Sequence, residues 1–181
     1  MLITVAPAGV LMTAAPAGAD DVPALYELVD AAAQRLQTAD PVAAAKWLNG
    51  GAITDATRAE QVLAATVGVA ETRGLADDFT RQVFTDQINA NEAIQYARFA
   101  GWKLDTAAAP GWAPELAASR QIIDRLNRVI IDQLAVQQPL LQSPECGSAL
   151  DAAESSVAAA RQFDDLYRRA LDSATRSYCQ G

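Results

Sequence analysis

The 181-residue chain has no histidine, and that absence excludes a good deal of chemistry. A histidine-containing zinc site, a Ser-His-Asp triad and imidazole acid–base catalysis all need a residue that is not there. Aromatic residues make up only 6%, and Val, Ile and Thr never alternate with polar residues for long enough to mark a strand. Without strands, no strand-borne glycine-rich phosphate loop is expected. Positive charge is scarce as well, with 14 Lys and Arg against 22 Asp and Glu and a net charge of −8. Nucleic acid and anionic membrane surfaces demand a basic stripe, so neither is expected as a partner. No metal or cofactor is expected either, and ordinary hydrolase or transferase chemistry is hard to build. What remains is binding, or a reaction that needs electrostatics and no proton transfer.

What is present is alanine and other helix-favouring residues. The chain is 51% hydrophobic with no internal repeat, which predicts one all-α domain with a real core. Breakers divide it into a bundle of about six helices. The first is expected from near Asp21 to about Leu48, with a kink at Pro41 and Asp40 placed to cap. After the loop "NGGAITDAT", a second runs from about Asp55 to Arg73, where Thr57 and Glu60 suggest a capping box and Gly74 a stop. A third reaches from Ala76–Asp78 to about Ala100. The long connection "GWKLDTAAAPGWAP" follows, and a fourth helix covers about Glu115 to Gln138, stopped by Pro139.

The first nineteen residues carry no charge and end with Ala17 and Ala19 in the A-x-A pattern of a signal-peptidase site. Residues 1–19 therefore read as an export signal, truncated or misassigned at its start because no basic n-region precedes the apolar run. Residues 20–181 form the mature domain, exported to the periplasm or secreted, with no membrane span left after cleavage. Export suits the two cysteines, Cys146 and Cys179, as a disulfide pair. A straight helix over residues 148–178 would hold its ends about 45 Å apart. Bridged cysteines need Cα atoms within about 7 Å. Either the bond is intermolecular or the chain turns back near "ARQFDD", residues 160–165, with Asp164 or Asp165 opening the returning helix. The bridge within one chain is the expectation carried forward. Neither cysteine reads as a catalytic thiol, because no histidine is there to activate it.

Candidate functional residues are polar groups on faces that ought to be apolar. Arg35 and Lys46 stand eleven residues apart among alanines, which on an unbroken helix is about three turns plus ~20°, one face. That face is either a solvated stripe or the wall of an anion site. In the stripe Phe84, Ile88, Asn91, Gln95, Phe99, two amides occupy core-like positions. They satisfy backbone or each other, or else they answer a ligand. Asp55 and Arg58 suggest an i,i+3 surface ion pair. Arg120, Arg125 and Arg128 crowd one helix with no sign of which faces inward. Arg161, Arg168, Arg169 and Arg176 read as the solvated outside of the last hairpin.

Arg35, Lys46, Asp55, Arg58, Asn91, Gln95 and Arg120, within "LVDAAAQRLQTADPVAAAKW", "VFTDQINANEAIQYARFAGWKL" and "AASR", resemble the pattern of the all-helical chorismate mutases. The exported gamma subclass is the most similar, in its cysteine spacing and signal-like start as well. The resemblance covers roughly Leu25 to Gln180. It implies an isomerase of aromatic amino acid biosynthesis, the shikimate pathway, that rearranges chorismate to prephenate without cofactor, base or nucleophile. By that resemblance Arg35, Arg58 and Arg120 bind carboxylates, and Lys46 and Gln95 hydrogen-bond the breaking ether oxygen. Asp55 and Asn91 engage the ring hydroxyl or shape its pocket. The resemblance departs at Asn91, where relatives carry Ser or Thr. It also implies a complete active site in each chain, compatible with a homodimer. The alternative is an exported helical domain that binds or senses a small dicarboxylate without turnover.

Overall fold

Helix α1 (Tyr26–Gln37) is buried on nearly every side, and the rest of the chain is arranged around it. Its alanines at 31, 32 and 33 are all but inaccessible. Small side chains there let neighbouring helices approach closely, while Leu28, Val29 and Leu36 fill the gaps. Around α1 pack α4 (Asp77–Leu104), α5 (Leu116–Leu141), α6 (Cys146–Ala160) and α7 (Asp165–Thr175). Helices α2 (Ala39–Asn49) and α3 (Ala56–Glu71) lie against α4 and α5. This is the computed structural model of residues 22–180, and no strand occurs among the described residues. The expected export signal, residues 1–19, falls outside them. None of the described helices is long and apolar enough to cross a membrane.

The single all-α domain is as expected, with its boundaries corrected in several places. The expected first helix begins at Tyr26 rather than Asp21, because residues 23 to 26 form a turn in which the Tyr26 amide donates to the Pro23 carbonyl at 2.9 Å. It then divides at Thr38 into α1 and α2. Pro41 has no N–H for the Gln37 carbonyl, and the rod breaks one residue beyond that carbonyl. Counted as one kinked rod, α1 and α2 bring the bundle to six. Helix α3 is capped by the Asp55 carboxylate, which accepts from the Arg58 amide at 3.0 Å, and not by the Thr57–Glu60 box. Helix α4 continues four residues past Ala100, to Leu104. Pro139 does not stop α5, which runs to Leu141. In that last turn proline's fixed φ suits the helix and costs one hydrogen bond to the Ala135 carbonyl.

The hairpin of α6 and α7 turns at residues 161–164. Gln162 adopts a left-handed φ of 53°, and the Phe163 amide reaches back to the Ala158 carbonyl at 2.9 Å, the pattern that closes a helix on a left-handed residue. The Asp164 carboxylate accepts from the Tyr167 amide at 2.9 Å and opens α7. Cys146 and Cys179 are bridged within the chain with Cα atoms 5.7 Å apart. Three of the four hairpin arginines are not merely solvated: Arg168 donates to the Phe163 carbonyl at 2.8 Å, and the other two reach neighbouring helices. Arg161 makes two hydrogen bonds to Asp30 of α1, and Arg176 pairs with Asp86 of α4. The Asp86 side chain is wholly inaccessible, so this pair ties α7 to the long helix across a desolvated carboxylate.

Closing a loop of 33 residues removes roughly 3 to 4 kcal/mol of denatured-state entropy. Reduction of the Cys146–Cys179 bridge is therefore expected to lower the melting temperature by well over 5 °C while leaving low-temperature catalytic turnover largely intact. Paired thermal melts and activity assays with and without reductant check this, and equal losses in both would contradict it.

Candidate active site

One cleft among the described residues gathers all seven residues selected from the sequence. It encloses about 650 Å³ of empty space, part of it open to solvent, between α1, α2, α3, α4 and α5. Arg35 comes from α1, Lys46 from α2, Asp55 from the loop before α3, and Arg58 from α3. Asn91 and Gln95 come from α4, and Arg120 from α5. All seven belong to the same chain. Val42, Ile53, Val62, Ile88, Leu116 and Ile123 supply apolar walls. Four cations face two carboxylates, Asp55 and Glu92, leaving a formal charge of +2 in the cleft of a chain whose net charge is −8. Of the crowded arginines on α5, Arg120 lines this cleft, whereas Arg125 is exposed and Arg128 lines a second groove between α3 and α5.

Arg35 is 3% exposed, which excludes a solvated stripe at that position. Its Nε donates to Asn127 Oδ1 at 2.8 Å and its Nη1 to the Gln87 carbonyl at 3.1 Å. Both acceptors are neutral. Among the described residues no carboxylate lies within hydrogen-bonding distance of this buried guanidinium, and desolvation lowers its pKa to about 10. Leaving a cation so unpaired is costly unless something completes it. Lys46 is half-buried, and its ammonium donates to the Ile53 carbonyl. Desolvation lowers its pKa, opposed by Glu92 and Asp55 and reinforced by Arg120.

The rim is built differently. The Arg58 side chain pairs with Asp124 of α5 at 3.1 Å and not with Asp55, whose carboxylate caps α3 through the Arg58 amide. The expected Asp55–Arg58 surface pair is thus corrected. On α4, Asn91 Nδ2 donates to the Arg35 carbonyl at 3.1 Å, and Gln95 Nε2 donates to Asn91 Oδ1 at 2.7 Å. The two amides do satisfy backbone and each other, yet Gln95 Oε1 stays buried without a partner.

Three participants escape a sequence reading that concentrates on cations. Asn127 orients Arg35, Asp124 holds Arg58, and Glu92 faces Lys46 across the cleft. Arg120, Asp124 and Asn127 are spaced i, i+4, i+7, one helical face, and that spacing was a usable signal. Glu92 and the Ile53 carbonyl gave none. Among the described residues no three Cys, Asp or Glu side chains stand together as a metal site.

Residues 26–96 match the family model described as chorismate mutase type II. The chain is 52% identical to the secreted chorismate mutase of Mycolicibacterium smegmatis over 99% of this chain and 100% of that protein. It is 45% identical to the secreted chorismate mutase of Mycobacterium tuberculosis over 99% of this chain and 93% of the relative. The crystal structure of chorismate mutase from Burkholderia phymatum superposes with a TM-score of 0.83 at 34% identity, covering 87% of this chain and 96% of the other. None of these likenesses supports a binding domain without turnover.

The neutral partner of Arg35 gives a direct test of its exposure to an anion. Asn127→Asp supplies a buried counter-ion, and is expected to raise the Kd or KM for a dianionic ligand at least tenfold while leaving the melting temperature within a few degrees. Asn127→Ala leaves a buried donor unpaired and is expected to cost about 1 to 3 kcal/mol of stability. Thermal melts with ligand titrations distinguish the two. Unchanged ligand affinity in Asn127→Asp would show that Arg35 does not meet the anion.

Proposed function

The chain belongs to the chorismate mutase family, and from that premise we propose that the seven polar residues of the cleft form the cage in which chorismate rearranges to prephenate. Chorismate carries two carboxylates. In the [3,3]-sigmatropic shift the enolpyruvyl ether C–O bond breaks as a C–C bond forms, and no proton is gained or lost. This is chemistry that a protein without histidine can catalyse.

The observation that carries the reading is the buried Arg35 guanidinium, which has only neutral partners and faces a cleft of charge +2. A substrate carboxylate is its missing counter-ion, bound through the guanidinium edge that Asn127 and Gln87 leave free. Arg58 and Arg120 at the rim bind carboxylates too, Arg58 by exchanging Asp124 for substrate. Lys46 contacts the ether oxygen and a carboxylate, and Gln95 gives that oxygen a second hydrogen bond. Negative charge accumulates on the oxygen as its bond stretches, so fixed donors between apolar walls stabilise the transition state more than the substrate. Asp55 engages the ring hydroxyl. The cage also holds the enolpyruvyl arm folded over the ring, removing conformational freedom before the reaction begins. Because one chain contributes every member of the cage, a homodimer would hold two complete sites. Export, by likeness to relatives named as secreted, follows cleavage after residue 19 and leaves a domain of residues 20–181.

Lys46→Ala is expected to lower kcat/KM by about 10²-fold or more, followed as loss of chorismate absorbance. Arg169→Ala, on the solvated outside of α7, is the control. A folded Lys46→Ala enzyme with near-normal turnover would remove Lys46 from the breaking bond. The pH profile follows from the two depressed cations. Gln95 does not titrate, and both cations are protonated on the acidic side of their depressed pKa values, so kcat/KM is expected to be flat from mildly acidic to neutral pH. It is expected to fall on the alkaline side as free Lys46 and Arg35, both depressed by burial, lose their protons. The limb in kcat should lie higher, because a bound dianion holds both cations protonated. A steep acidic optimum would contradict this assignment.

A further inference from the structure

We propose that Asn91 is a positioning residue that makes position 95 require an amide, by consuming one hydrogen of the group that contacts the breaking bond. The inference deepens the proposed role of Gln95 and rests on it. The argument starts at the break between α1 and α2. The Arg35 carbonyl there accepts from the Thr38 hydroxyl at 2.7 Å and from the Asn91 side chain at 3.1 Å. A backbone carbonyl can only accept, so the Asn91 atom facing it is Nδ2, which also lies 3.3 Å from Thr38 Oγ1. Asn91 Oδ1 then points the other way, and it too can only accept. The Gln95 atom 2.7 Å from it must therefore be Nε2. The helix break thus fixes the sense of two successive amides.

The consequence lies in the count of hydrogens. A carboxamide nitrogen carries two, and Asn91 uses one. The second has no acceptor among the described residues and remains for the substrate ether oxygen. Gln95 Oε1, buried and unpartnered, is left to accept from whatever donor the ligand or an ordered water presents. A carboxylic acid at position 95 has only one hydrogen. With Asn91 in place that hydrogen is drawn to Asn91 Oδ1, and the oxygen turned toward the cleft is an acceptor. When ionised, the same group sets an anion against Asn91 Oδ1 and against the charge developing on the ether oxygen. Neither state helps, so acid does not rescue a glutamate here. Removing the Asn91 acceptor frees the proton for the substrate, and activity then follows protonation of the carboxyl.

The cleft that Gln95 lines also carries the charged groups of Arg35 from α1, Lys46 from α2, Asp55 from the loop, Arg58 from α3, Glu92 from α4 and Arg120 from α5. All of these are common to the variants compared, so differences between the profiles isolate the Asn91 contact. The experiment measures kcat at saturating chorismate from about pH 4.5 to 8.5 for Gln95→Ala, Gln95→Glu and Asn91→Ala/Gln95→Glu. Gln95→Glu alone is expected to lie at least tenfold below the natural enzyme throughout, with a shallow profile. The double variant is expected to rise at least tenfold from pH 8 toward the acidic end. Asn91→Leu/Gln95→Glu, close to isosteric and equally free of an acceptor, should behave in the same way and serves if the alanine variant does not fold. An acidic rise of equal size in Gln95→Glu alone, or no rise in either double variant, overturns the inference while Gln95→Ala remains impaired. If Gln95→Ala keeps full activity, the ether-oxygen role itself is wrong.

Discussion

A guanidinium that the protein itself leaves without a counter-ion is the constraint on which the cleft depends. Arg35 sits on the most enclosed helix of the bundle, where the alanines that let α4, α5, α6 and α7 close around α1 also strip water from its charge. Satisfying it with a carboxylate would have been the stabilising choice, and would have spent the attraction inside the protein. Asn127 and the Gln87 carbonyl give it direction without neutralising it. The charge is thereby reserved for whatever enters the cleft. The depressed pKa of about 10 is the visible cost of that arrangement, still well clear of neutral pH.

The other cations are graded around this one. Lys46 is half-buried and anchored to a backbone carbonyl, while Arg58 is held at the rim by an exposed carboxylate that a ligand can displace. An exposed pair such as Arg58–Asp124 contributes little and is readily exchanged. The deeper a donor lies, the less it rearranges, which is what stabilising a transient charge requires. A bundle with no imidazole can therefore carry out a rearrangement in which positions and potentials change but no proton moves.

The all-helical class and the C-terminal hairpin were legible because they rest on local signals: alanine content, breakers, and the distance two cysteines must cover. The seven cleft residues were legible together only through their resemblance to a family pattern, because their grouping in one cleft depends on five helices meeting, which periodicity does not encode. Misread features turn on tertiary context. Pro139 reads as a stop in the sequence, whereas a proline in a final turn forfeits one hydrogen bond and the helix continues. Arg161 and Arg176 looked solvated because their carboxylate partners lie 131 and 90 residues away. Asn127 was missed because a neutral side chain attracts no notice until the cation it steers is known.

The residue that steadies one edge of Arg35 also touches the end of the chain. The Gln87 carbonyl accepts from Arg35, and its side-chain amide reaches the Ala174 carbonyl and the hydroxyl of Tyr178, which is wholly buried beside the bridged Cys179. Arg35 and the segment beside the disulfide therefore share one support. A ribosome finishes Arg120 some sixty residues before that support can assemble. A chain made only as far as Arg120 holds every charged residue of the cleft yet has no finished interior in which to set them.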